Sequence, residues 1–189
     1  MLVNDHKLLE KYISDGIEAR RSIEVSAVMT VSEILFDRLK KGGKLITFGN
    51  GGSAADAQHF AAELSGKFMK DRRPFPAVAL TTNTSSLTAI GNDYSYAEVF
   101  SRQLEGLCAK DDFVVGISTS GNSQNVIGAM KKAREIGAFT LGLTGKDGGR
   151  LKNVVDQCIN VNSDVTPIIQ EVHIAIIHMI CYSFDAILE

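Results

Sequence analysis

Residues 113–126, FVVGISTSGNSQNV, decide the fold. Positions 113–118 are apolar or small, the composition of a strand buried on both faces. Ser118-Thr119-Ser120-Gly121-Asn122-Ser123 then packs four hydroxyls and a glycine into six positions, and a helical pattern follows from Val126. Hydroxyls and free backbone N–H groups at a strand-to-helix turn suit a phosphate, because a helix N-terminus carries partial positive charge. Read alone, the same residues are a hydroxyl-rich turn with Ser123 as an N-cap.

A second turn of this design lies upstream. Residues 44–48 read as a short strand, Gly49-Asn50-Gly51-Gly52-Ser53 as its turn, and 54–66 as a helix. The turn is a partial dinucleotide fingerprint, with Ala54 in place of the third glycine. No acidic residue closes the next strand to hold a ribose; Thr81-Thr82-Asn83 stands there instead. GxxxxGK[ST] is absent, and Thr144-Gly145-Lys146-Asp147 resembles such a loop only superficially. What remains is a glycine turn that brings backbone close to a small ligand, with Ser53 as a polar contact. Together the two turns suggest a phosphorylated small molecule.

Working outward, residues 77–81, 139–144 and 158–161 read as further strands, the first two separated by helical pattern and the last preceded by a loop at 145–149. Helices read over 84–90, 96–107 and from Thr166 onward, with Pro167 in its tolerated first-turn position. Alternation of this kind predicts an α/β three-layer sandwich around a parallel sheet of about five strands. Ligands of such sheets sit beyond the carboxyl ends of the strands, where both special turns fall. Residues 5–40 read as one long helix, ended by Gly42-Gly43, with more apolar face than a sheet edge can cover. Part of it is expected to pack against another subunit. The length, 189 residues, predicts one domain over 1–189, with the helix at 5–40 serving oligomerisation and the α/β core at 44–189.

Composition narrows the classes. Hydrophobic content of 44% and charged content of 22% are those of a globular domain, and a net charge of −2 gives no reason to expect nucleic acid or a membrane surface. Cys108, Cys158 and Cys181 form no CxxC pair and read as reduced thiols, which predicts a cytoplasmic protein. The first residues, MLVNDHKLLEKYI, lack the apolar run of a signal peptide. The most apolar region, 166–188, is broken by Gln170, Glu171, His173 and His178, which argues against a membrane span.

Two sets of residues carry candidate chemistry. His59 and Glu63 share one helix face with Cα atoms about 6 Å apart, a spacing for two metal ligands or an acid/base pair. The same spacing also describes a solvated helix pair, but the surrounding helix is small and apolar. On the last helix almost no polar face exists, so it reads as buried all round, and Gln170, His173 and His178 need partners. Gln170 and His178 differ by a rise of about 12 Å and can share a metal only if it sits between them. Otherwise they serve copies of the site in different subunits.

The segments GNGGSAADAQHFAAEL, AIGNDYSYAEVFSRQLE, GISTSGNSQNVI, LTGKDGG and IIQEVHIAIIHMIC occur in this order. The set closely resembles the bacterial phosphoheptose isomerases, the sedoheptulose 7-phosphate isomerases of the sugar isomerase (SIS) fold, which is flavodoxin-like. The resemblance implies one zinc per subunit, held by His59, Glu63, Gln170 and His178. It implies that Asn50, Gly51, Gly52, Ser53, Glu63, Asn92, Asp93, Ser118, Thr119, Ser120, Ser123 and Gln170 hold the substrate, the serines around its phosphate. It implies Glu63 as catalytic base and His178 as acid, in an aldose–ketose isomerisation through an enediol that opens nucleotide-activated heptose synthesis. It also implies a homotetramer with interfacial active sites. His173 acquires no role. Two alternatives share the fold: a non-catalytic SIS protein that binds the replication initiator, and an isomerase of another sugar phosphate.

Overall fold

The computed structural model describes residues 6–188. Five strands, β1 (Leu45–Gly49), β2 (Ala77–Ala79), β3 (Phe113–Ser118), β4 (Phe139–Gly145) and β5 (Gln157–Val161), form one sheet in the order β2-β1-β3-β4-β5. Every pairing is parallel. The helices are α1 (His6–Arg21), α2 (Val25–Lys40), α3 (Gly52–Ser65), α4 (Thr84–Asp93), α5 (Ser101–Leu107), α6 (Gln124–Ile136) and α7 (Thr166–Ile187).

Side chains alternate across the sheet and so divide the core in two. Leu45, Phe113, Val115, Ile117, Leu141 and Leu143 face α2, α3 and α7. Ile46, Phe48 and Val114 face α5 and α6, with Val126, Met130 and Ala133 packed on them. The predicted three layers are therefore present. The strand order reverses at β1 and β3, where Gly49 stands beside Ile117 and Ser118 beside Thr144. The two special turns leave the sheet from these neighbouring strand ends, at the switch point.

Three expectations are corrected. The helix expected over 5–40 is two helices, α1 and α2, separated at Ser22–Glu24; residue 5 lies outside the described residues. Apolar spacing continues across the break, so periodicity does not reveal it. Its local cause is visible: the Ser22 hydroxyl donates to the Ala19 carbonyl at 2.7 Å, and Glu24 is extended (φ −74°, ψ 99°) ahead of α2. The helix expected over 96–107 begins as a single 3₁₀ turn, Tyr96–Glu98, before α5. Finally, α7 is not buried all round. Ile168, Ile176 and Phe184 are in the core, but Glu171 and Tyr182 are exposed and Ile174 and His178 half-buried, an open stripe at helical spacing. It is the one described helix long and apolar enough to cross a membrane, with a mean hydropathy of 1.3, and it packs in the core of the sheet instead.

Candidate active site

α3 leaves β1 through the glycine turn. Gly51 holds φ +55° and ψ −122°, a conformation that a side chain would strain, so the turn can close only on glycine. From this turn α3 runs beside α7 in the same direction. The sequence spacing of each helix then decides which side chains meet.

His59 and Glu63 on α3 meet His178 on α7. His59 Nε2 is 2.9 Å from Glu63 Oε1 and 3.0 Å from His178 Nε2, and the imidazole centroids are 5.0 Å apart. A single ring nitrogen cannot donate one proton in both directions. Two imidazole nitrogens and a carboxylate oxygen, all within 4.8 Å of one another, are instead a convergent set of lone pairs. That donor set fits a divalent cation of borderline softness. These three residues were expected at one centre, and they share one.

The fourth expected ligand lies elsewhere in the chain. Gln170 packs against Gly52 at the opening of α3, so close that a Cβ there would stand 2.5 Å from its Nε2. Along α7 this is two turns before His178. Gln170 therefore accompanies the glycine turn, whereas His178 accompanies His59.

Asp56, one turn before His59, was not singled out from sequence. Its carboxyl is pushed up to about 6 by burial, against the opposing pull of His59. Its Oδ2 has no hydrogen-bond partner in the protomer. His173 is fully buried, and its Nε2 meets the Thr144 carbonyl at 2.9 Å. It points at the sheet and not at the His59 cluster.

The hydroxyl turn is built as a cradle. Ser118 and Ser123 hydroxyls are 3.0 Å apart, and Ser123 makes no side-chain capping bond to α6. Ser123 does stand at the N-cap of α6, as expected, but its hydroxyl faces the turn and does not bond its own helix. Thr119 and Ser120 are half-buried beside it, and the Asn122 N–H donates to Ser120 Oγ at 3.2 Å. The loop after β4 braces this turn: Leu151 N–H donates to the Gly121 carbonyl at 2.9 Å and Arg150 N–H to Asn122 Oδ1 at 3.2 Å.

Asn125 joins the two turns, a role that sequence reading missed. Its amide and that of Asn50 exchange hydrogen bonds of 2.9 and 2.8 Å. The Tyr96 hydroxyl donates to the same Asn50 oxygen at 3.1 Å. Asn50 is thereby fixed between the strand ends. Its partner stands two residues past the hydroxyl turn, in the first turn of α6, a position that nothing in the one-dimensional pattern marks as reaching β1. Asn92 and Asp93 hydrogen-bond each other at 2.8 Å on the exposed end of α4, just before the segment that carries Tyr96.

Comparison with known proteins places the chain in a family. Residues 10–145 match the SIS domain family. A protein of Thermoplasma acidophilum named probable phosphoheptose isomerase is 56% identical over 176 residues, covering 93% of this chain and 97% of its own length. The phosphoheptose isomerase of Aliarcobacter butzleri is 56% identical over 154 residues, 82% of each chain. Among solved structures, phosphoheptose isomerase GmhA of Neisseria gonorrhoeae superposes with a TM-score of 0.89 at 44% identity, over 95% of this chain and 98% of that one.

Proposed function

This chain belongs to the SIS domain family and, within it, to the phosphoheptose isomerases, and from that membership we propose how its residues act on sedoheptulose 7-phosphate. The reaction is the isomerisation of that ketose to D-glycero-D-manno-heptose 7-phosphate. The observation that carries the assignment is the joint presence of a hydroxyl cradle at a helix N-terminus and a His–Glu–His cluster on the neighbouring helices.

Ser118, Thr119, Ser120 and Ser123 hold the phosphate, with the N-terminus of α6 behind them. Asn50 to Ser53, together with Asn92 and Asp93, orient the sugar chain. Glu63 is the base that removes a proton from C1, beside the carbonyl, while His178 protonates the carbonyl oxygen to give the enediol; Glu63 then returns its proton to C2 and His178 takes the one on the C1 hydroxyl, which restores both groups. A carboxylate has two oxygens, and Oε1 already faces His59; the other is left for the proton. His59, Glu63 and His178 would hold a zinc ion, with Gln170 of a neighbouring copy of the chain as the fourth ligand. Zinc, when bound, would polarise the carbonyl of the sugar. Residues 1–189 act as one SIS domain, assembled as a cytoplasmic homotetramer, and the product enters nucleotide-activated heptose synthesis.

The test is NMR of sedoheptulose 7-phosphate with purified, zinc-supplied protein. The aldose heptose phosphate should appear, and Glu63→Gln should slow it at least ~100-fold, the scale of general-base catalysis. Near-normal turnover by that variant would remove Glu63 from the role of base. Binding without turnover by the wild type would move the activity to another sugar phosphate.

A further inference from the structure

Arg72 lies in the loop after α3, and its guanidinium joins three elements. Nε donates to Asp185 Oδ1 at 2.8 Å, Nη2 to the Glu63 carbonyl at 2.8 Å and Nη1 to the Leu64 carbonyl at 3.1 Å. Asp185, on α7, turns its other oxygen to the backbone N–H groups of Met69 and Lys70, both at 3.1 Å. The two side chains are only 8% and 5% exposed. Phe75 and Phe184 flank the guanidinium, with centroids at 5.3 and 5.6 Å. Burial by itself would raise the Asp185 carboxyl, but the bonds from Arg72 and the two backbone N–H groups outweigh it and hold the carboxyl below its usual range.

Stability alone is a poor reason for such a pair, because well-packed apolar residues often serve a buried site as well or better. Its placement gives a better one. Arg72 caps α3 at the carbonyl of Glu63 itself. Asp185 stands seven residues beyond His178, two turns along the same face of α7. The loop that carries Arg72 also carries Phe68, whose ring centroid is 5.8 Å from that of His178.

We infer that Arg72 and Asp185 are positioning residues for the isomerisation: the pair fixes Glu63 on α3 against His178 on α7 and seats Phe68 on the His178 ring. This rests on the isomerase reading for the roles of Glu63 and His178. Neither residue touches the phosphate cradle, so their loss should disturb chemistry and not substrate capture.

Arg72→Lys and Asp185→Asn, purified with zinc and verified as folded by circular dichroism, test the inference on sedoheptulose 7-phosphate. Small displacements of catalytic groups are expensive, so kcat should fall by ~10- to ~100-fold while KM stays within about 2-fold. The double variant should be no worse than the poorer single one, because both act through one contact. Folded single variants with wild-type kcat overturn the inference, as does a loss that only follows the unfolded fraction. If both variants fail to fold, Phe68→Leu, which leaves the ion pair in place, decides: a lower kcat at unchanged KM supports the seating of His178, and wild-type kcat overturns it. A wild type inactive on this substrate would overturn the isomerase reading and leave this one open to a second readout. In metal-free protein the His178 ring-proton signals should shift between wild type and Arg72→Lys; unmoved signals overturn the positioning role.

Discussion

At the scale of single residues, burial separates His173 from the two histidines of the cluster. His59 and His178 stand half in solvent and share a cluster, whereas His173 is enclosed beneath β4. Burial pushes its imidazole down to about 4 from an ordinary 6.5, only partly opposed by the Thr144 carbonyl that accepts its N–H. The unfolded chain therefore binds a proton near pH 6.5 that the folded one refuses until about pH 4. Stability from this group is complete above that window and is lost as the pH falls through it, by at most ~1.4 kcal/mol per pH unit. Urea midpoints measured at pH 7 and pH 4.5 should fall less in His173→Gln than in the wild type, because glutamine keeps a donor for Thr144 and does not titrate. Equal falls would show that His173 is already protonated in the folded protein. In the sequence this histidine could not be told from a ligand: its spacing to Gln170 and His178 is as good as theirs. Only the direction of its ring, set by the rotation of α7 on the sheet, distinguishes it.

Among elements, the pairing of α3 with α7 was the least legible feature and the most consequential. The central strands could be read almost residue by residue, because a parallel strand buried on both faces is a continuous apolar run, and β3 and β4 fall within a residue of expectation, whereas the edge strand expected over 77–81 is only Ala77–Ala79. The two strand-to-helix turns were legible too, since glycines and hydroxyls mark them. The break at Ser22–Glu24 was not, because the apolar period on either side stays in phase. Nor could two helices distant in sequence disclose their register, and that register is what puts His59 beside His178 and Gly52 beside Gln170. Gly52→Ala tests the second of these contacts. The added Cβ would meet the Gln170 amide at 2.5 Å, and the flexible side chain, not the backbone, must yield. Alanine suits a helix at least as well as glycine. The melting temperature should hold or rise while kcat/KM for sedoheptulose 7-phosphate falls ~10-fold or more, as expected when a positioned polar group is displaced. Gln170→Ala added to this variant should cost nothing further. A further loss in the double variant would mean that Gly52 acts through the substrate and not through Gln170.

For the whole molecule, the exposed apolar surface of the chain bears on the site. α1 exposes Leu8, Leu9, Ile13 and Ile17, and Val25 and Met29 continue the apolar surface on α2. The open stripe of α7, with Ile174 and Tyr182, lies on the same helix as His178. Such a surface is larger than a solitary protomer has reason to show. The proposed ligand set has a matching gap, since Gln170 and His178 sit two turns apart on one helix, a rise of about 12 Å. A second copy that brought its own Gln170 to this His59–Glu63–His178 cluster would close both at once, and a symmetric assembly would repeat the exchange in every subunit. Ile13→Glu separates assembly from folding. Ile13 is 61% exposed, and the only fully buried side chain of α1 is Ala19, so the charge should leave the core intact. In a symmetric interface the charge would be buried twice, once from each copy. Light scattering should then find a smaller species with an unchanged circular dichroism spectrum. Its turnover per subunit should fall by at least ~10-fold, because a catalytic set split between chains cannot form in one. Full turnover in a dissociated variant would place a complete site within the single chain, with Gln170 serving the glycine turn alone.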